Sequence, residues 1–183
     1  MTKCSPPRVS VVVPVRNGAP KIARCLQALL TQTLQPYEIL VVDGHSIDST
    51  REVARRFPVT VVYEDYGTVG GARQVGVEHA RGDYVAFTDA DCILGNDWLE
   101  NLVREFADGI VGVGGGIKNI GSGLWEESIA LALDTFLGSA SSVQDRVLKE
   151  VAENYGTRVQ GYGERGHIAP SKCLPSCGSL LKM

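Results

Sequence analysis

The chain of 183 residues has no surplus of basic residues: 18 Lys and Arg stand against 21 Asp and Glu, a net charge of −3 with a pI near 5.6. Without a positive face to displace counterions from a phosphate backbone, nucleic acid is not an expected partner. Nor is there an apolar run of the roughly 18 residues that a spanning helix requires. The longest candidate, Leu124 to Leu137, is broken by Glu126, Glu127 and Asp134, so no transmembrane span is expected within these residues. The apolar stretch Val9 to Val15 is interrupted by Pro14 and followed by Arg16, unlike the long h-region of a signal peptide, and a cytoplasmic protein is expected. Paired cysteines are also lacking. Cys4, Cys25, Cys92, Cys173 and Cys177 are odd in number and mostly scattered, so no disulfide framework is expected. Cys173 and Cys177 have only His167 nearby, too few ligands for a structural zinc site.

What is present suffices for a core: 44% of residues are hydrophobic and 21% charged, close to an ordinary globular domain. The length corresponds to one domain of about 150 residues plus a remainder. From Val9 to about Ile117, short continuous apolar runs alternate with amphipathic segments, the pattern of buried parallel strands joined by helices. The runs Val9 to Val15, Glu38 to Asp43, Val59 to Glu64, Tyr84 to Asp89 and Ile110 to Ile117 predict five strands. Ile22, Leu26, Leu29 and Leu30 share one face of a first helix, with Pro20 in its first turn. Ser49 and Glu52 have capping-box spacing for a second helix that ends at Pro58. A third runs from Thr68 to Arg81, closed by Gly82, and Asn96 caps a fourth carrying Trp98, Leu99, Leu102 and Phe106. Helix-joined parallel strands predict an open, mostly parallel α/β sheet with helices on both faces. Beyond Ile117 the pattern changes: a helix from about Trp125 to Leu137 is expected, with both tryptophans packed in the core, then polar Ser- and Gly-rich sequence. Val143 to Glu153 and Cys173 to Met183 read as a further helix and a further strand.

Ligands of open parallel sheets bind at the carboxyl ends of the strands. That edge carries Arg16 and Asn17 after the first strand, Asp43 after the second, Glu64 and Asp65 after the third, and Asp89 and Asp91 after the fourth. Asp89 and Asp91, in Thr88-Asp89-Ala90-Asp91, leave a strand at i and i+2 and so serve one side. Two carboxylates that close repel, and Mg²⁺ or Mn²⁺ relieves the repulsion while completing its shell with water and phosphates. The plainer alternative has both acids capping the helix near Asn96 or standing in solvent. Gly112-Val113-Gly114-Gly115-Gly116 fits neither dinucleotide nor P-loop spacing and reads as close backbone packing or a substrate-lining loop. His45, His79 and His167 lie too far apart to propose a ligand set.

The strings VSVVVPVRNG (Val9 to Gly18), EILVVDGHSIDST (Glu38 to Thr50), GGARQVG (Gly70 to Gly76) and ARGDYVAFTDADC (Ala80 to Cys92) resemble, in order and spacing, the nucleotide-sugar-binding half of family-2 glycosyltransferases, which have the Rossmann-like GT-A fold. Gly114 to Gly138 and the ending LPSCGSLL are similar, more loosely, to polysaccharide-synthesis members. The resemblance implies a donor-binding half over 1–117 and a partial acceptor-side region over 118–183. It implies that Pro14, Val15 and Asn17 line the nucleotide pocket, that Asp43 contacts the base, and that Arg73 holds the nucleotide or diphosphate. It further implies Asp91 as the metal ligand, with Asp89 facing the ribose and diphosphate beside it. Arg16 stands where an aromatic is common, Asp43-Gly44-His45-Ser46 stands for Asp-Asp-Gly-Ser, and Gln74 stands for Asn, so a second carboxylate near the base is missing and His45 has no role. The family's general base is expected beyond Met183, because Asp134, Asp145, Glu150 and Glu153 read as exposed helix faces.

The function so implied is inverting transfer of a sugar from a UDP- or GDP-sugar to a hydroxyl of a glycan or lipid-linked acceptor, assisted by Mn²⁺ or Mg²⁺. The competing reading is a truncated or non-catalytic nucleotide-sugar-binding fragment. A sugar-phosphate nucleotidyltransferase needs a Gly-, Arg- and Lys-bearing loop that Pro14-Val15-Arg16-Asn17-Gly18 does not provide, and a Rossmann dehydrogenase fails at the same place. Membrane association on the cytoplasmic face stays open to a segment beyond Met183.

Overall fold

The computed structural model describes residues 6–106, 110–114, 125, 157–160 and 179–182. The strands are β1 (Val9–Val15), β2 (Glu38–Asp43), β3 (Thr60–Tyr63), β4 (Tyr84–Phe87), β5 (Ile110–Gly114), β6 (Thr157–Gln160) and β7 (Ser179–Lys182). The helices are α1 (Ala19–Leu30), α2 (Thr50–Ala54), α3 (Val69–His79) and α4 (Trp98–Arg104). The sheet order is β3-β2-β1-β4-β7-β5-β6.

Every residue of β1 is buried, because the strand lies mid-sheet and is covered on both faces. Val9, Val11, Val13 and Val15 pack with Ile22, Cys25, Leu26 and Leu29 of α1, Ala54 of α2, and Leu99 and Leu102 of α4. Val12 points the other way and packs with Leu40, Val42, Val85, Phe87, and Ala72 and Val75 of α3. Helices therefore cover both faces, as expected. β1, β2, β3 and β4 are mutually parallel where they pair. The fifth predicted strand departs from the expected simple succession: among the described residues β5 pairs with antiparallel neighbours, β6 and β7, and β7 separates it from β4. β7, from the 118–183 region, thus lies between β4 and β5 of the same sheet.

The strand order reverses between β1 and β4, and Pro14 sits at that switch point. Pairing of β1 with β4 spans only Val9 to Val12, and its last bond runs from Thr88 N to Val12 O at 3.2 Å. Alternation along β1 turns Pro14 to the same side as Val12, where a residue without an N–H cannot extend the ladder. The two strands part there and leave the crevice in which ligands of such sheets bind.

Two helix starts differ from the sequence reading. Ser49 makes no side-chain cap; Asp48 Oδ1 accepts instead from Thr50 N at 3.0 Å. α4 begins after Asp97 rather than Asn96, and its orphan Leu99 N–H donates to Gln32 Oε1 at 2.9 Å, a cap from 67 positions away. Gln32 Nε2 donates to Gly95 O at 2.7 Å and Ala28 O at 3.1 Å, so this buried side chain is fully used. Gln32→Leu leaves those groups unpaired and should cost about 1–3 kcal/mol in urea unfolding.

Trp98 packs against the core, whereas Trp125 is 83% exposed, against the expectation that both are core residues. Among the described residues no helix is long and apolar enough to cross a membrane.

Candidate functional site

The crevice is built from four strand ends. After β1, Asn17 adopts φ 53°, the left-handed region, and is held there by bonds to the next loop. Its N–H donates to Ser46 Oγ and its Oδ1 accepts from Ile47 N, both at 2.9 Å. Pro14 and Val15 are buried.

Asp43 ends β2 at the carboxyl edge of the sheet, as the sequence places it. Its side chain is fully buried; Oδ2 accepts from Ser46 N at 3.0 Å, and Oδ1 has no partner and no solvent contact. The carboxylate fastens the β2–α2 turn, and direct contact with a ligand would require uncovering it. His45 follows at φ 55°. Its ring stacks on Tyr63 and its Nε2 lies 2.7 Å from Asp65 Oδ1, which ties the β2–α2 loop to the β3–α3 loop.

Asp89 and Arg73 are brought together. The Thr68 hydroxyl caps α3 by accepting from Gly71 N at 3.0 Å, which sets the first turns so that Arg73 Nη2 reaches Asp89 Oδ1 at 3.1 Å. The two side chains are 15% and 28% exposed. Burial pushes the Asp89 carboxyl above its usual range; the Arg73 guanidinium pulls it back, and the Asp91 charge pushes it up further. Asp91 points outward, with Lys21 Nζ of α1 at 3.4 Å, an exposed pair that contributes little.

Cys25 lies beneath this loop, its Sγ 3.6 Å from Asp89 O. Burial, with the charges of Asp91 and Asp89, pushes the thiol up to about 12. Native Cys25 should therefore resist iodoacetamide at pH 8 and react once unfolded, read by peptide mass mapping.

No three His, Cys, Asp or Glu side chains converge among the described residues. The metal that this edge could hold is one satisfied by one or two carboxylates, water and a ligand's own oxygens. Asp91, exposed and weakly held, with Asp89 beside it, suits Mg²⁺ or Mn²⁺ and does not suit zinc.

Residues 10–162 match the profile of Glycosyl transferase family 2. The chain belongs to that family. It is 38% identical over 122 residues to glycosyltransferase AglE of Haloferax volcanii, covering 61% of this chain and 40% of that protein. It is similar in structure to mannosyltransferase PcManGT from Pyrobaculum calidifontis in complex with GDP-Man and Mn²⁺, with 34% identity and a TM-score of 0.54 over 61% of this chain and 36% of that one. Mannosyl-3-phosphoglycerate synthase from Rubrobacter xylanophilus gives 26% identity and a TM-score of 0.54 over 69% and 46%. The chain thus spans less than half the length of these relatives. Asp89 and Asp91 follow β4 of this family-2 glycosyltransferase sheet, and Arg73 reaches Asp89 from α3. Asp134, Asp145, Glu150 and Glu153 lie outside the described residues.

Proposed function

We propose that this chain is the donor-binding part, over 1–117, of an inverting glycosyltransferase that uses a UDP- or GDP-sugar, with 118–183 contributing to the acceptor side. The observation that carries the reading is the Asp89–Arg73 pair beside an outward Asp91 at the β1/β4 switch point. The relative solved with GDP-Man and Mn²⁺ supports it.

Asp91, assisted by Asp89, would hold Mn²⁺ or Mg²⁺. Such an ion, when bound, supplies charge neutralisation for a leaving diphosphate. Arg73 keeps Asp89 ionised against its burial and fixes its direction, so the carboxylate can accept from ribose hydroxyls. Asn17 and the backbone edge of Pro14 and Val15 border the nucleotide, and Asp43 holds the turn that shapes their pocket. In the transfer, the acceptor oxygen bonds to the anomeric carbon from the face opposite the diphosphate. The carbon–oxygen bond to phosphate breaks, the hydroxyl proton goes to a carboxylate base, and configuration inverts. The acceptor would be a hydroxyl of a glycan or lipid-linked sugar, consistent with action at the cytoplasmic face of a membrane.

Calorimetric titration with UDP and with GDP, each with and without Mn²⁺, tests this reading. Metal-dependent binding of one nucleotide, lost in Asp91→Ala, is expected. Binding that ignores Mn²⁺ or survives Asp91→Ala would sink it.

A further inference from the structure

The end of β3 carries a carboxylate with one oxygen unused. Glu64 is 4% exposed, and its Oε2 accepts from Gly67 N at 2.9 Å. Oε1 has no hydrogen-bond partner among the described residues and, unlike Asp43 Oδ1, is not sealed from solvent. A carboxylate oxygen that solvent reaches on an otherwise buried, backbone-anchored side chain is a fixed acceptor open to an N–H donor from a ligand.

Its location says where such a donor would come from. Glu64 Oε1 lies 3.0 Å from the point a Cβ on Gly44 would occupy, and the Cβ and Cδ of Arg16 lie 3.6 and 3.7 Å from that point. Gly44 is the first residue beyond β2, so the Glu64 carboxylate and the Arg16 stem meet over it at the crevice edge. Arg16 is exposed and has no hydrogen-bond or ion-pair partner among the described residues. An aspartate at position 44 would drive its side chain against Glu64.

We propose that Glu64 Oε1 accepts the ring N–H of the donor's nucleobase, N3–H of uracil or N1–H of guanine, with Arg16 placed to donate to the adjacent carbonyl. The assignment rests on the nucleotide-sugar reading and adds to it the residue that reads the base. Both bases present a ring N–H next to a carbonyl, matching one acceptor beside one donor. Adenine and cytosine have a bare ring nitrogen at that position, which would face the carboxylate lone pairs.

The test is calorimetry on the full chain with Mn²⁺, comparing UDP and GDP with N3-methyl-UDP and N1-methyl-GDP. Methylation removes the donor and should weaken binding by about 10- to 100-fold, the range for a hydrogen bond to a charged group. Glu64→Gln, which keeps an acceptor for Gly67 N, should lower parent-nucleotide affinity and shrink the penalty of methylation, while Mn²⁺–pyrophosphate binding stays unchanged. Arg16→Ala, on an exposed side chain, should weaken UDP or GDP and likewise spare pyrophosphate. Equal binding of parent and methylated nucleotide to the wild-type chain would overturn the assignment while leaving the nucleotide-sugar reading intact. So would an equal loss of pyrophosphate binding in Glu64→Gln, the mark of a merely structural role. Binding of neither UDP nor GDP would overturn both.

Discussion

Arg73→Met is expected to destabilise the chain by about 3 kcal/mol, the lower end for removing one partner of a buried ion pair, and to abolish nucleotide binding. Both side chains of the Arg73–Asp89 pair are less than a third exposed, so solvent screens the interaction little. Without the guanidinium, Asp89 keeps the burial that raises its pKa and the repulsion of Asp91, and loses the positive charge that opposes both. Stability should then fall as pH rises, since the unfolded chain ionises Asp89 at lower pH than the folded chain does. Adding Asp89→Asn should restore much of the stability by removing the stranded charge, but none of the binding. Urea unfolding of both variants checks this: a double variant no more stable than Arg73→Met would show that the pair does not couple as its geometry requires.

Gly76→Ala should be nearly as damaging, for a reason unrelated to charge. A Cβ at Gly76 would stand 2.3 Å from Val12 Cγ1, so α3 can lie against β1 only if this residue has no side chain. Overpacking of up to about 3 kcal/mol, less about 1 kcal/mol gained in helix propensity, leaves a net cost of roughly 2 kcal/mol. Because α3 carries Arg73, lifting the helix also moves the guanidinium from Asp89. Val12→Ala should relieve the clash, making the double variant more stable than the sum of the two single effects predicts. Strict additivity would mean that α3 does not press on β1 at this point.

The elements up to α4 were legible because their signals are local. An uninterrupted Val run, a 3.6-residue apolar stripe with Pro20 in its first turn, and Thr68 before GGAR each depend on near neighbours. What was not legible depends on pairing across long separations. Nothing in Ser179-Leu180-Leu181-Lys182 says that it inserts antiparallel beside Tyr84–Phe87, and this insertion turns β5 away from β4. The cap on α4 comes from Gln32, which no search for a Ser, Asp or Asn at the helix start can find. At the site, the i, i+2 spacing of Asp89 and Asp91 was readable, and the Arg73 partner was expected through its motif though not as an Asp89 ion pair. Asp43 ends β2 and Glu64 follows β3, and sequence alone does not say that the first carboxylate is held under the β2–α2 turn by Ser46 N while the second accepts from Gly67 N.

A crystal grown with Mn²⁺ and a nucleoside diphosphate tests the central claim most directly. The expected result is an anomalous manganese peak about 2.1 Å from an Asp91 carboxylate oxygen, with Lys21 displaced, the diphosphate completing the shell and the ribose beside Asp89. Manganese bound elsewhere, or a nucleotide seated away from the β1/β4 crevice with Asp91 still paired to Lys21, would contradict it.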